Sequence, residues 1–158
     1  MSDERDPAYW FVGASTGGNQ DKTDELVREG VWRFWPDPAK PYQHQDKILS
    51  MQPGDKIAIK SAFVRKRNLP FDNRGMPVSV MAIKAIGTIT ENTGDGQSVK
   101  VEWEKQFEPQ KEWFFYTSRS AVWKPKVERS WYARALIRFA FEDEEQDIDA
   151  FRNEPYWR

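Results

Sequence analysis

The chain has 158 residues, 39% of them hydrophobic, which supports one core of ordinary size and hardly two, so one domain spanning 1–158 is expected. With no cysteine and a single histidine, His44, it excludes a disulfide framework, a thiolate zinc site and a cysteine nucleophile, and leaves little for a metal site or a histidine-based triad. A formal net charge of −1, from 24 basic and 25 acidic residues, excludes a polycation that coats nucleic acid indiscriminately.

Met1 to Pro7 is charged and lacks an apolar run, so it reads as a flexible polar leader and not as a targeting segment. No apolar stretch approaches membrane-spanning length, and a cytoplasmic protein is expected. The run Ala8-Tyr-Trp-Phe-Val-Gly-Ala14 is rich in aromatic and branched residues and predicts a buried strand, with Ser15 to Asn19 as the loop after it. Asp21 to Gly30 predicts a helix: Thr23 or Asp21 caps it, Leu26 and Val27 face inward, and Gly30 ends it. Trp32 and Trp35 follow at once, ahead of the proline-broken stretch Pro36 to Pro41. His44 to Ser50 predicts a second short helix, and Met51-Gln-Pro-Gly-Asp55 a turn. Lys56 to Lys60 alternates charged and apolar residues, as a half-buried strand does.

Phe63 to Met76 reads as a long polar loop, and loops of that length in small domains are more often functional than idle. The stretch Lys56 to Lys84 carries seven basic residues against one acid, Asp72, whereas Glu142 to Asp149 carries six acids and no base. Such segregation outlines a polyanion binder with an acidic far side, against the plainer reading of two solvated faces. Val78 to Thr90 predicts one strand or two, with Gly87 marking a bulge, and Thr93 to Gly96 a hairpin turn. Ser98 to Trp103 and Glu112 to Thr117 predict strands on either side of a proline-containing loop, and Ser118 to Trp123 continues or turns the second. Ser130 to Phe141 predicts a helix with Trp131, Ala135, Leu136 and Phe139 inward, and Asp147 to Asn153 a short last one. About six strands and three or four helices predict an α+β fold: a curved mixed sheet or barrel with helices packed on it.

Tyr9-Trp-Phe-Val-Gly-Ala-Ser15, the helix ending in Gly-Val-Trp32, and Met51-Gln-Pro-Gly-Asp-Lys-Ile-Ala-Ile-Lys60 resemble the EVE branch of the PUA-like superfamily, whose sisters include the YTH readers of methylated adenine in RNA. Through Ala85-Ile-Gly-Thr-Ile89, Val99 to Trp103, Phe115 to Trp123 and Asp147 to Trp157, the longer pattern is similar to the domain in front of the motor of McrB-type, modification-dependent restriction GTPases. No Walker A loop is present, so the motor and nuclease would lie elsewhere. The resemblance implies a non-enzymatic module, monomeric and without cofactor or metal, that binds nucleic acid, DNA before RNA, by holding one flipped, methylated base. A YTH-type cage would place one tryptophan where Trp32 stands, but the loop Glu91 to Gln97 lacks the second, so another ring must close the pocket.

The base pocket is accordingly expected from Ser15, Trp32, Trp35, Ser61 and Phe63, with rings to stack on a base and hydroxyls to test its edge. Contacts to the nucleic-acid backbone are expected from Lys60, Arg65, Lys66, Arg67, Asn68, Asn73, Arg74 and Arg119. Trp10, Trp103, Trp113 and Trp123 read as core. Two rivals remain: an RNA reader of the YTH type, and a hydrolase of the ASCH type in which Lys60 activates Ser61 near Glu102 or Glu112.

Overall fold

A computed structural model of the chain describes residues 6–16, 20–128 and 130–154. Most of the leader, the tip of the first loop and the Pro155 to Trp157 motif therefore lie outside the described residues. Strands β1 (Tyr9–Val12), β4 (Val31–Arg33), β5 (Lys56–Arg65), β6 (Val78–Asn92), β7 (Ser98–Phe114) and β8 (Val122–Trp123) form one sheet in the order β4-β7-β6-β5-β1-β8. The β1 and β5 strands run parallel, while the other pairings are antiparallel. A separate two-stranded ribbon joins β2 (Ser15–Thr16) to β3 (Gln20–Asp21). The fold is α+β, and the sheet curls strongly into half of a barrel.

Both faces of the sheet are covered. Trp10, Val12, Ile57 and Ile59 point into a cluster with Leu26 of α1 (Thr23–Glu29) and Ile48 of α2 (Gln45–Ser50). Phe11 and Ala58 point into the other, against Leu136 and Phe139 of α3 (Trp131–Phe141) and Phe151 of α4 (Ile148–Arg152). That double burial explains why β6 reads as an almost unbroken apolar run from Val78 to Ile89 and not as an alternation. Most of the aromatic residues are spent on the second cluster, where Trp113 packs on Phe139 and Phe151 with ring centroids 5.1 Å apart in both cases.

The helix ends follow the signals with one shift. The N-cap of α1 is Lys22, whose side chain makes no cap bond; one residue earlier Asp21 Oδ1 accepts from the Thr23 amide at 2.9 Å and from its hydroxyl at 2.6 Å, and Gly30, at φ 71°, closes α1 with its N–H on Leu26 and Val27. Ser130 caps α3 by accepting from the Tyr132 amide, and Asp147 caps α4 through Ala150. In α3 the buried stripe runs through Ala133, Leu136, Ile137 and Ala140, with Phe139 alongside; the expected Trp131 and Ala135 are half-buried.

The strands differ more. Val31-Trp-Arg33 is a strand, pairing Trp32 with Val99. The β5 strand runs on through Arg65 into what reads as loop, and β6 is one strand. Pro109 does not divide β7: Gln106 pairs with Ala85 and Lys111 with Ile83, so Phe107 to Gln110 bulge out while only Lys84 passes opposite. Where β7 ends, the Gln146 side chain bonds the Phe114 backbone twice, accepting from its N–H at 2.9 Å and donating to its carbonyl at 2.7 Å.

Candidate functional site

The carboxyl ends of the parallel pair β1 and β5 gather the unusual chemistry of this chain. The last pair in register is Val12 with Ile59, and immediately beyond it β5 slips against β6. Ile59 pairs with Ala85 but Lys60 with Ile83, which leaves Lys84 as the extra residue of a bulge. The irregularity turns two lysines inward: Lys60 is 4% exposed and Lys84 8%.

The two amines are neutralised differently. Lys84 Nζ lies 2.8 Å from Asp21 Oδ2, at the root of α1. Partial burial works to raise the Asp21 carboxyl, yet the bonds from Lys84 and Thr23 outweigh it and hold the group below the usual carboxylate range. Lys60 Nζ instead donates to two backbone carbonyls, Ser118 and Ser120, both at 2.7 Å, and among the described residues no carboxylate pairs with it. Burial pushes its pKa down to about 8.

The Lys60 bonds also pin a strap. The Gly13 amide donates to the Ala121 carbonyl at 2.9 Å, so the segment 118–121 is tied to both parallel strands, and Arg119 is presented exposed between the two serines. Trp32 reaches the same place from the opposite edge of the sheet: its indole N–H donates to the Gly13 carbonyl at 2.8 Å. Three strands separate β4 from β1 in the sheet order, so this bond spans the concave face. Trp32 is wholly buried, 0% exposed, and presents no free ring face. Ser15 is exposed at the strand end, and Trp35, half-buried, packs against the cluster that holds Trp32. Ser61 follows Lys60, half-buried. Phe63 packs on the other cluster, with the Arg65 guanidinium 5.3 Å above its ring, and is not brought to Trp32.

The residues expected on a nucleic-acid backbone divide likewise. Lys60 is turned inward; Arg65 makes a two-pronged pair with Glu112, its Nη1 at 2.8 Å from Oε1. Asn73 spends its amide within the loop, donating to the carbonyls of Lys66 and Met76. Lys66, Arg67, Asn68, Arg74 and Arg119 remain exposed. A lysine-activated nucleophile is not assembled: the Lys60 amine meets carbonyls and not the Ser61 hydroxyl, and Glu112 is committed to Arg65. Lys84, Asp21 and the Ser118–Ser120 carbonyls are the members sequence reasoning passes over, although a lone lysine inside Val78 to Ile89 is a legible signal.

Among the described residues no group of three or more metal-binding side chains gathers, and no helix is long and apolar enough to cross a membrane. No family model matches the chain, and no curated protein does.

Proposed function

We propose that this chain is a PUA-like module of the EVE kind that binds nucleic acid by taking up one extruded, methylated base, with DNA as its polymer. In this reading it is the targeting part of a modification-dependent restriction system whose motor and nuclease are separate, and it performs no catalysis itself. The observation that carries the reading is the inward lysine pair at the end of β1 and β5, beside the exposed Ser15 and the strap that holds Arg119 outward. A buried cation of lowered pKa such as Lys60, next to exposed polar groups, marks a candidate binding site. In this reading the Lys84–Asp21 pair, a donor and an acceptor now bonded to each other, opens to a base edge, and the exposed Arg119 meets a phosphate. Because Trp32 is enclosed, its part is to fix Gly13 and hence the segment bearing Ser15, and Trp35 is the ring left to stack on a base. Stacking returns about 1–3 kcal/mol against an extrusion cost of a few kcal/mol.

The test is a titration of the purified chain with matched DNA and RNA oligonucleotides, each carrying unmodified or methylated adenine or cytosine at one position. Methylated DNA should bind about fourfold more tightly than its unmodified match, the worth of one buried carbon group. Trp35→Ala should abolish that preference and leave salt-sensitive binding, whereas Trp32→Phe, which keeps the buried ring but loses the N–H that holds Gly13, should reduce it only in part. No binding to any oligonucleotide at low salt would end the proposal, and tighter binding to RNA would reassign the polymer.

A further inference from the structure

A cavity of about 760 Å³ opens between the loop joining β5 to β6 and the last helix, α4. Its size falls in the range of small-molecule sites, roughly 300–1,000 Å³. Phe71 and Phe115 line it with rings tilted by 34° and centroids 5.3 Å apart, and the Arg152 guanidinium stands 5.7 Å over the Phe71 ring. Arg152 lies 3.9 Å from Asp149, too far for a hydrogen bond. Arg74 is exposed and makes no ion pair among the described residues. Asp72 turns one carboxylate oxygen to the Arg74 amide, at 2.9 Å. Asp149 is 86% exposed as a side chain, so its carboxylate is accessible at the cavity.

The backbone here is held in an unusual state. Arg74 has φ 55° and Phe115 φ 78°, the left-handed region that a bulky side chain enters only when its surroundings impose it. Those surroundings are visible for Phe115: its N–H donates to the Ser79 carbonyl at 3.0 Å, and the Ser79 hydroxyl donates to the Phe115 carbonyl at 2.8 Å. Asn73 closes the loop from inside by bonding the carbonyls of Lys66 and Met76. The loop is thus a built structure whose geometry directs one aromatic ring and one guanidinium into a common space.

The geometry points to a nucleotide as the ligand of this cavity. The half-buried Phe71 ring, backed by the buried Phe115, suits a base, two guanidiniums suit a phosphate, and two carboxylates suit the amino groups of a base edge. A fatty or purely anionic ligand would leave one of these sets unused. The site lies at the tip of the β5–β6 hairpin, five residues or roughly 16 Å along β5 from Lys60, and so is separate from the base site proposed above. It stands without that reading: the nucleotide comes either free or as a neighbouring unit of the bound strand.

The experiment uses the full chain, with dAMP, adenosine and inorganic phosphate as probes, followed by amide NMR and calorimetry. Saturable dAMP binding that shifts the signals of Phe71, Arg74, Phe115 and Arg152 is expected, with adenosine and phosphate each weaker. The variant Arg74→Gln/Arg152→Gln should bind dAMP about tenfold more weakly while keeping the wild-type melting temperature within a few degrees. Phe71→Leu, which preserves much of the volume, should weaken adenosine as well. If the double variant also loses affinity for single-stranded DNA, the strand is the source; if strand binding is unchanged, the free nucleotide is. Absence of saturable binding at dAMP on the order of 10 mM, or equal affinity in the double variant, overturns the inference. Failure of every oligonucleotide in the earlier titration leaves this result unaffected.

Discussion

Lys60 shows how one residue changes meaning between sequence and structure. In Lys56-Ile-Ala-Ile-Lys60 it reads as the outward, charged end of an alternation, but the slip in register after Ile59 turns it into the protein. Its amine is then a cation taken out of water and compensated by two carbonyls. Its pKa falls from 10.5 to about 8, so between those values the unfolded chain holds more protons than the folded one, and stability rises with pH across that window. The cost of burying the charge is fully present below about 8 and gone above about 10.5. It amounts to at most about 3 kcal/mol, reduced by the carbonyl bonds that favour the charged form. Denaturant melts of wild type and Lys60→Met at pH 7, 8, 9 and 10 should show the wild type gaining on the variant as pH rises. Parallel curves would mean that the amine is neutral, or hydrated, throughout.

At the scale of elements, what was legible is what is local. Ser130 and Asp147 announce their helices because a cap is an interaction within three residues, and Gly30 announces an end because αL is open to glycine. The β4 strand was not legible: three residues carry no period, and Trp32 is a strand residue only because Val99, 67 positions on, lies opposite. Pro109 misleads for a related reason, since a proline argues for a break unless a bulge removes it from the ladder, and nothing near it in sequence reveals that Gln106 and Lys111 face Ala85 and Ile83. The candidate site suffers most, because it depends on a register slip and on a carbonyl strap 58 and 60 residues from the lysine it holds. Gly87 is the counter-example, a bulge read correctly from a lone glycine in a strand. A methyl group there would stand 2.6 Å from the Glu102 carbonyl and 2.8 Å from the Val101 side chain. Gly87→Ala should therefore cost about 1–3 kcal/mol by chemical denaturation. A neutral substitution would show that β7 shifts freely at this point.

For the whole molecule, the basic stretch divides into cations that are used internally and cations that are free. Lys56, Lys60, Arg65 and Lys84 are engaged within the fold, which leaves Lys66, Arg67 and Arg74 of the stretch, joined by Arg119 of the strap, to face a polyanion. Replacing Lys66, Arg67 and Arg119 together by alanine should lower the slope of log affinity against log salt by about two to three on duplex DNA, with the melting temperature kept. An unchanged slope would place the nucleic acid on another face. The sheet itself raises a different question, that of its rims. Its outer strands, β4 and β8, are three and two residues long, and past Val101 the flank of β7 has no neighbour in the sheet among the described residues. That open flank carries Glu102, Glu104, Lys105 and Glu108, a proline and an outward bulge, and where it ends the Gln146 amide occupies both backbone groups of Phe114 in the manner of a short added strand. Two copies meeting along this flank would oppose like charges and find the last ladder position taken. The longest strand of the protein is thereby made a poor template for edge-to-edge pairing with a second copy.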